Sequence, residues 1–502
     1  MTGVRPTTAV KSLDACPTND AKGCSPSWSG LDSAAISASI VVAAALRFWH
    51  LGSPAEPVYD ETKVLRQAHS FLHGWRPPYS THPPAAKLLV ALSVSLFGNY
   101  PWGWRAANAL MGTALVPITY LLARRLFRSK LAASIAAALL LCEGMFLVAS
   151  RLAMINIVYI TLGAWAYLML WCFVQNPAPR TQRIQLLAMS LLLGLYVSTK
   201  AAISEVAVLL CLIVIAVNVV GPVPLRPFPR LAHLITAKLI GACGLVVGIV
   251  LLVYLAVFMT YSWVVWRGIG DLVAYHQRVF NYNSGLPFSF PNASPFWSWP
   301  FLLHPYAYWK RDLLNGAVEV IWCGGNPLLW WAVLPAILIA MVRGYTQKSM
   351  AWMFLAAGYL AYLAMWIPLR RYLFIYSYMP ALYFGLVTLA GALEECWNGA
   401  ARRWEHFVLL APLLPCLILG LGVVWGGFAA CSISIVYLLL RRRAEDWEGK
   451  FVCLIFLSAT LLVFAYFLPL WMGIPLSEAG YTARMWLHGR GLASWVGYGA
   501  AR

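Results

Sequence analysis

Acidic side chains are scarce in this chain. Asp and Glu number 18 against 37 Lys and Arg in 502 residues, and the four charged types together reach only 11%. That is too little polar surface to clothe a soluble globule. With 61% hydrophobic residues and a mean hydropathy of +0.70, the chain must live in lipid. Also missing are a CxxC pair, an HExxH motif and any histidine cluster with metal-ligand spacing, so nothing in the sequence builds a metal site and no cofactor is expected. The 11 cysteines do not point to disulfides, because Cys142, Cys172, Cys211, Cys243, Cys416, Cys431 and Cys453 lie inside apolar runs and read as small core residues. The N-terminus lacks the short apolar core and small-residue cleavage site of a signal peptide. Residues 1–32 therefore read as a retained, disordered cytoplasmic tail.

What the chain does have is a succession of apolar runs between residue 33 and residue 471. At about 20 residues per crossing, roughly 11 to 13 spans fit, which predicts an all-α polytopic membrane protein over residues 33–502. The spans are expected near 33–52, 104–123, 131–149, 156–174, 184–199, 201–220, 238–262, 326–342, 350–367 and 372–393, with a helical hairpin near 406–440 and a last span near 451–470. Basic clusters recur in the short connections: Arg124, Arg125, Arg128 and Lys130; Arg180 and Arg183; Arg226, Arg230 and Lys238; Arg343 and Lys348; Arg402 and Arg403; Arg441, Arg442, Arg443 and Lys450. Placing them all in the cytoplasm puts residues 53–103, 263–322 and 471–502 on the outer face. The net charge of +19 then reflects cytoplasmic loops and anionic lipid rather than nucleic acid. The segment Pro84 to Gly98 is too short for a crossing and reads as an interfacial helix within the first external loop. The 263–322 segment, rich in Trp, Tyr, Phe, Pro and Asn and poor in regular periodicity, reads as a loop packed on the membrane surface.

On that outer face the cations Arg105, Arg151, Lys200, Arg370 and Arg371 sit at the ends of spans, against the positive-inside trend. Singly, each can snorkel to lipid phosphate; together they suggest a rim that binds a phosphate-bearing substrate. Among the few acids, the adjacent pair Asp60 and Glu61 follows the first span. It can open a helix favourably against the dipole, or supply the base that takes a proton from an attacking hydroxyl. His82 and Lys87 flank a rigid Pro83-Pro84 entry and can position a phosphate or an acceptor hydroxyl; a structural hydrogen-bonding role for the histidine is the bland alternative.

Taken together these residues resemble the protein O-mannosyltransferase family, membrane glycosyltransferases of the GT-C class that use polyprenyl- or dolichyl-phosphate mannose. The likeness runs along most of residues 33–495. It rests on Asp60-Glu61, His82-Pro83-Pro84 with Lys87, Arg105, Glu143-Gly144 leading to Ser150-Arg151, and Ser198-Thr199-Lys200. Further parts are Ser294 with Trp297-Ser298-Trp299-Pro300, Gly325-Asn326-Pro327 with Trp330-Trp331, Arg371 before Tyr376 and Pro380, and Leu468-Pro469-Leu470-Trp471 with Gly473 and Trp486. The resemblance implies Asp60 as catalytic base with Glu61 in support. It implies donor-phosphate binding by Arg151 and Arg371, joined by Lys200 and Arg105, and substrate positioning by His82, Lys87, Asn156, Ser294 and Trp297. The chain departs from the family where Asn156 replaces an acid five residues after the Ser-Arg pair, and where Phe290 and Asn283 stand in place of histidines.

The expected activity is therefore inverting transfer of mannose from polyprenyl-phosphate mannose to Ser or Thr hydroxyls of secreted proteins, at the external face of a bacterial inner membrane. The departures support a second reading, transfer of another carrier-linked sugar to a glycolipid or cell-wall polymer. A lipid or sugar transporter is the rival of a different class. It predicts charged or broken mid-membrane helices and an internal repeat, neither of which is evident.

Overall fold

The structure, a computed structural model, describes residues 27–75, 82–176, 178–200, 203–220, 237–265, 269–286, 292–369, 371–443 and 447–486. The expectations placed on most of the N-terminal tail and on Arg226, Arg230, Phe290 and Arg370 lie outside the described residues, as does the tail beyond 486. The chain opens with α1 (Gly30–Phe48), then α2 (Glu61–His73) and α3 (Ala85–Phe97) in the first connection, then α4 (Pro101–Phe127). Next come α5 (Lys130–Leu141), α6 (Gly144–Arg151), α7 (Asn156–Gln175), α8 (Pro179–Val197), α9 (Ile203–Val220), α10 (Ala237–Val265) and α11 (Ile269–Ser284). A 3-10 turn at Phe296–Phe301 and strands β1 (Tyr306–Asp312) and β2 (Ala317–Cys323) lead to α12 (Pro327–Gln347), α13 (Met350–Ala364) and α14 (Met379–Trp397). α15 (Arg403–Leu410), α16 (Leu413–Arg443), α17 (Trp447–Met472), β3 (Leu476–Ser477) and α18 (Glu478–Arg484) finish it.

Among the described residues eight helices are long and apolar enough to cross a bilayer, or nine if the pair α5 and α6, bent by 62°, counts as one span. The protein is thus a multi-pass membrane protein. The roughly 11 to 13 spans expected from the sequence also include α8, whose first turns are polar, and shorter apolar helices such as Met350–Ala364, which fall outside that length-and-hydropathy criterion. The hairpin expected near 406–440 corresponds to a break in α16 at Gly422, whose φ of 83° no helical residue adopts. Within the first connection α3 is a 13-residue helix, and its Ser93 hydroxyl donates to Gly103 O and accepts from Ala107 N, which ties it to the start of α4.

Local sequence explains the helix ends that face the connections. Ser129 caps α5 through Ala132 N, Asn326 caps α12 through Leu328 N with Pro327 in the first helical position, and Arg128 ends α4 in the left-handed region. Buried acids hold one end of the bundle together. Asp32 accepts from Arg124 Nε at 2.9 Å and from Tyr120 at 2.9 Å, and Arg343 pairs with Glu395 and with Glu405.

The 263–322 segment departs from the sequence expectation. It is not a loop without periodicity but α11 followed by an antiparallel hairpin, β1 to β2, which β3 extends into a sheet of order β1-β2-β3. The signal was present: Asn315-Gly316 stands between two runs of β-forming residues, Gly316 has a φ of 76°, and Asn315 Oδ1 accepts from Ala317 N. Aromatic composition masked that pattern.

The bend between α5 and α6 is built around Glu143. Its carboxylate accepts from Phe146 N at 2.9 Å, Asn326 N at 3.3 Å and Trp330 Nε1 at 2.8 Å. Beside it Gly144 leaves room for the indole of Trp471, which donates to Gly324 O at 2.8 Å. A Cβ on Gly144 would overlap that ring. Gly144→Ala is therefore expected to cost about 1–3 kcal/mol from overpacking, read as a lower Tm of the detergent-solubilised protein, and Trp471→Leu in the same chain should recover part of the loss.

Candidate active site

The connection between α1 and α4 is shaped by two arginines. Arg151, at the end of α6, donates from Nη1 to Leu46 O, Arg47 O and Trp49 O and from Nη2 to His50 O at 2.6–3.2 Å. It closes the carbonyl end of α1, where a cation is favoured by the helix dipole. Arg105, in the first turns of α4, pairs bidentately with Glu61 at 2.8 and 2.9 Å, and both side chains are 0% exposed. Its other donors go to Leu51 O, Pro54 O and Glu56 O, so all five N–H groups are used. Glu61 also accepts from Val58 N at 2.8 Å and Ala153 N at 2.6 Å.

Of the three arginines expected at the donor phosphate, Arg105 and Arg151 have their guanidinium donors engaged within the protein. Arg105 has no donor left to offer, and Arg151 is spent largely on the end of α1. Glu61, expected to support the base, points into the protein.

The same turn leaves Asp60 outside. It precedes α2, its side chain is 36% exposed, and its partner is Lys63 at 2.8 Å. Around it lie the remaining cations. The Lys200 ammonium follows α8, sits over the rings of Tyr159 and Tyr376 at 4.9 and 5.4 Å, and makes no hydrogen bond or ion pair among the described residues. Burial, then the nearby Arg371, pushes it down to about 7, while Asp60 acts in the opposite sense. Arg371 Nη1 donates to Asn283 Oδ1 of α11 at 2.6 Å. His82 is lowered well below the usual imidazole value by burial, then by Lys200, Lys87 and Arg371. Lys87 Nζ donates to His82 O at 2.5 Å, and Ala85 N to Ser198 O at 2.9 Å, which fastens the His-Pro-Pro entry to the segment carrying Lys200.

Of the three other candidates, only Ser294 is tied to this cluster by a hydrogen bond among the described residues. Ser294 accepts from Trp299 Nε1 at 2.9 Å and its backbone N–H donates to Leu373 O, so it fixes the Arg371 segment. Trp297 is 46% exposed on the 3-10 turn, and Asn156 is buried at the start of α7. The sequence reading missed Lys63 and the tyrosine wall of Tyr59, Tyr306, Tyr308 and Tyr372. Lys63 follows Asp60 at helical spacing, and Tyr306 and Tyr308 alternate along β1, so both had a local signal.

The arrangement places one accessible carboxylate beside an ammonium and a guanidinium that no carboxylate among the described residues neutralises. Such a site can accept a proton at one edge and hold an anion at the other.

Comparison with known proteins bears on this geometry. Residues 101–235 match the family described as dolichyl-phosphate-mannose-protein mannosyltransferase, and residues 268–490 match the C-terminal four TMM region of protein-O-mannosyltransferase. The chain is 23% identical over 508 residues to the polyprenol-phosphate-mannose--protein mannosyltransferase of Mycobacterium tuberculosis, covering 89% of this chain and 90% of the relative. It is 24% identical over 531 residues to the protein of that name from Mycolicibacterium smegmatis, covering 92% and 94%. Its fold matches the S. cerevisiae protein O-mannosyltransferase Pmt1-Pmt2 complex bound to the sugar donor, with a TM-score of 0.70 at 14% identity over 91% of this chain and 92% of that one. It also matches ArnT from Cupriavidus metallidurans bound to undecaprenyl phosphate, with a TM-score of 0.56 at 17% identity over 89% and 77%.

The buried pair gives a prediction about stability. Glu61→Gln leaves the Arg105 guanidinium uncompensated in the interior, which costs about 3–5 kcal/mol. The outcome is a large drop in Tm and in the yield of monodisperse protein from membranes. Arg105→Lys should fare almost as badly, because an ammonium cannot reach three carbonyls and both carboxylate oxygens.

Proposed function

The chain belongs to the protein O-mannosyltransferase family, and from that premise we propose that it transfers mannose from a polyprenyl-phosphate carrier to Ser or Thr hydroxyls of proteins, with Asp60 as the base. The observation that carries the assignment of the site is the accessible Asp60 carboxylate set beside Lys200 and Arg371, two cations without a carboxylate partner among the described residues. The acceptor hydroxyl gives its proton to Asp60, its oxygen attacks the anomeric carbon, and the bond from that carbon to the phosphate oxygen breaks with its electron pair going to the phosphate. Attack opposite the leaving group inverts the anomeric centre. Lys200 and Arg371 hold the charge that gathers on the departing polyprenyl phosphate. Asp60, 36% exposed, returns its proton to water.

Charge supports an orientation. The clusters around Arg124, Arg180, Arg343 and Arg402 lie at the opposite end of the helices from Asp60, and the positive-inside trend favours a site on the external face, which in our reading is that of a bacterial inner membrane. Secreted chains and the headgroups of outward-facing lipid carriers meet there.

The assay uses membranes containing the full chain, labelled polyprenyl-phosphate mannose and a Ser/Thr-rich peptide. Asp60→Asn should lower peptide labelling by about 10²- to 10⁴-fold, the usual worth of a general base, with the protein present at wild-type level. Undiminished labelling in the mutant removes Asp60 from the mechanism. Label that goes to a lipid or polymer and never to peptide replaces the protein acceptor with the second reading.

The pH dependence has a definite sign. With the Lys200 ammonium near 7 in the free protein, it is charged below that pH and ready for phosphate. Above it, donor binding must take up a proton, so the donor KM is expected to rise with pH by up to about tenfold per unit. Lys200→Arg, charged throughout, should flatten that rise.

A further inference from the structure

We infer that Tyr59 is a positioning residue for Asp60, gripped by the external hairpin so that β1 and β2 set the aim of the base. The inference rests on Asp60 being the base and goes beyond it by assigning the hairpin a part in the reaction. Tyr59 holds a φ of 50°, in the left-handed region that bulky side chains avoid. What holds it there is its ring. That ring packs against Tyr308 at 4.7 Å and Tyr306 at 5.9 Å between centroids, and its hydroxyl accepts from that of Tyr306 at 3.2 Å. Trp309 of the same strand donates to Glu56 at 2.8 Å, a second tie between hairpin and loop.

On the other side of Asp60, the neighbouring Glu61 is fixed by Arg105. The aspartate is therefore suspended between two immobilised neighbours, one outside and one inside, and its own side chain needs no rigid partner. The rings also run on toward the cations. Tyr306 meets Phe374 at 6.2 Å, Phe374 stacks on Tyr376 at 5.5 Å, and Tyr376 lies under the Lys200 ammonium. Base and anion-holding pole are set at a fixed spacing by one continuous aromatic wall.

The discriminating variants are Tyr59→Gly and Tyr59→Phe, purified in nanodiscs and assayed beside wild type and Asp60→Asn. Glycine adopts the same backbone conformation freely, so the fold is retained while the grip is lost. The expected result for Tyr59→Gly is a kcat lowered about 10- to 100-fold by misaim of the base, with donor KM and Tm close to wild type. Tyr59→Phe keeps the ring and recovers most of the rate. Adding Tyr308→Leu to Tyr59→Gly should lower kcat no further, since the two act through one contact. A wild-type kcat in Tyr59→Gly overturns the inference while leaving Asp60 in place. Equal defects in Tyr59→Phe and Tyr59→Gly narrow the grip to the hydroxyl contact with Tyr306, and a wild-type kcat in Tyr306→Phe would then overturn it. Activity surviving in Asp60→Asn strikes the base assignment itself and is read separately.

Discussion

The buried ion pair between Glu61 and Arg105 is the interaction on which the functional end of this protein depends. Two charges are taken wholly out of water, at a cost of several kcal/mol each, and that cost is offset only because every donor and nearly every lone pair is used. The pair joins four pieces of chain: the loop from Leu51 to Glu56, the first turn of α2, the start of α4 and the turn at Ala153. It also fixes the direction of the residue before Glu61. With Glu61 drawn inward at the first helical position, the preceding Asp60 is left partly exposed at the start of α2.

Charge compensation sorts the other cations in the same way. At the opposite end Arg124 meets Asp32 and Arg343 meets two glutamates, so these arginines are structural despite lying among basic loops. Near Asp60, Arg105 is neutralised and Arg151 closes a helix. Lys200 and Arg371 are left with aromatic rings and a neutral amide. A cation–aromatic contact holds an ammonium without cancelling its charge. The uncancelled charge is what a departing phosphate can use.

Much of this was legible in the sequence, and the losses have physical reasons. Hydropathy runs located the helices, because a bilayer demands length and apolarity together. Asp60, Lys200 and Arg371 stood out as charges where charge is costly. Sequence could not tell Arg105 from Arg371, since both are arginines at the outer ends of spans and only their neighbours in space differ: a carboxylate 44 residues earlier for one, an amide 88 residues earlier for the other. The hairpin was hidden for another reason. Its alternation is carried by aromatics on both faces, so the usual contrast between an apolar and a polar face is weak in Tyr306–Asp312.

The departures from the family pattern acquire a place in this picture. Asn283 does not touch Asp60; it receives Arg371, and its own Nδ2 is anchored to Val279 O at 2.7 Å, which sets the direction of the amide. A neutral acceptor there orients the guanidinium and leaves its charge intact, whereas a carboxylate would spend that charge on a local ion pair. Asn156 lies at the start of α7, just beyond the turn whose Ala153 N–H is held by Glu61. Asn283 therefore sits against one of the two uncompensated cations and Asn156 beside the turn that Glu61 holds, and neither replaces the aspartate itself. On the proposed reading, in which Arg371 holds the donor phosphate, a change at position 283 re-aims that guanidinium and leaves Asp60 as it is.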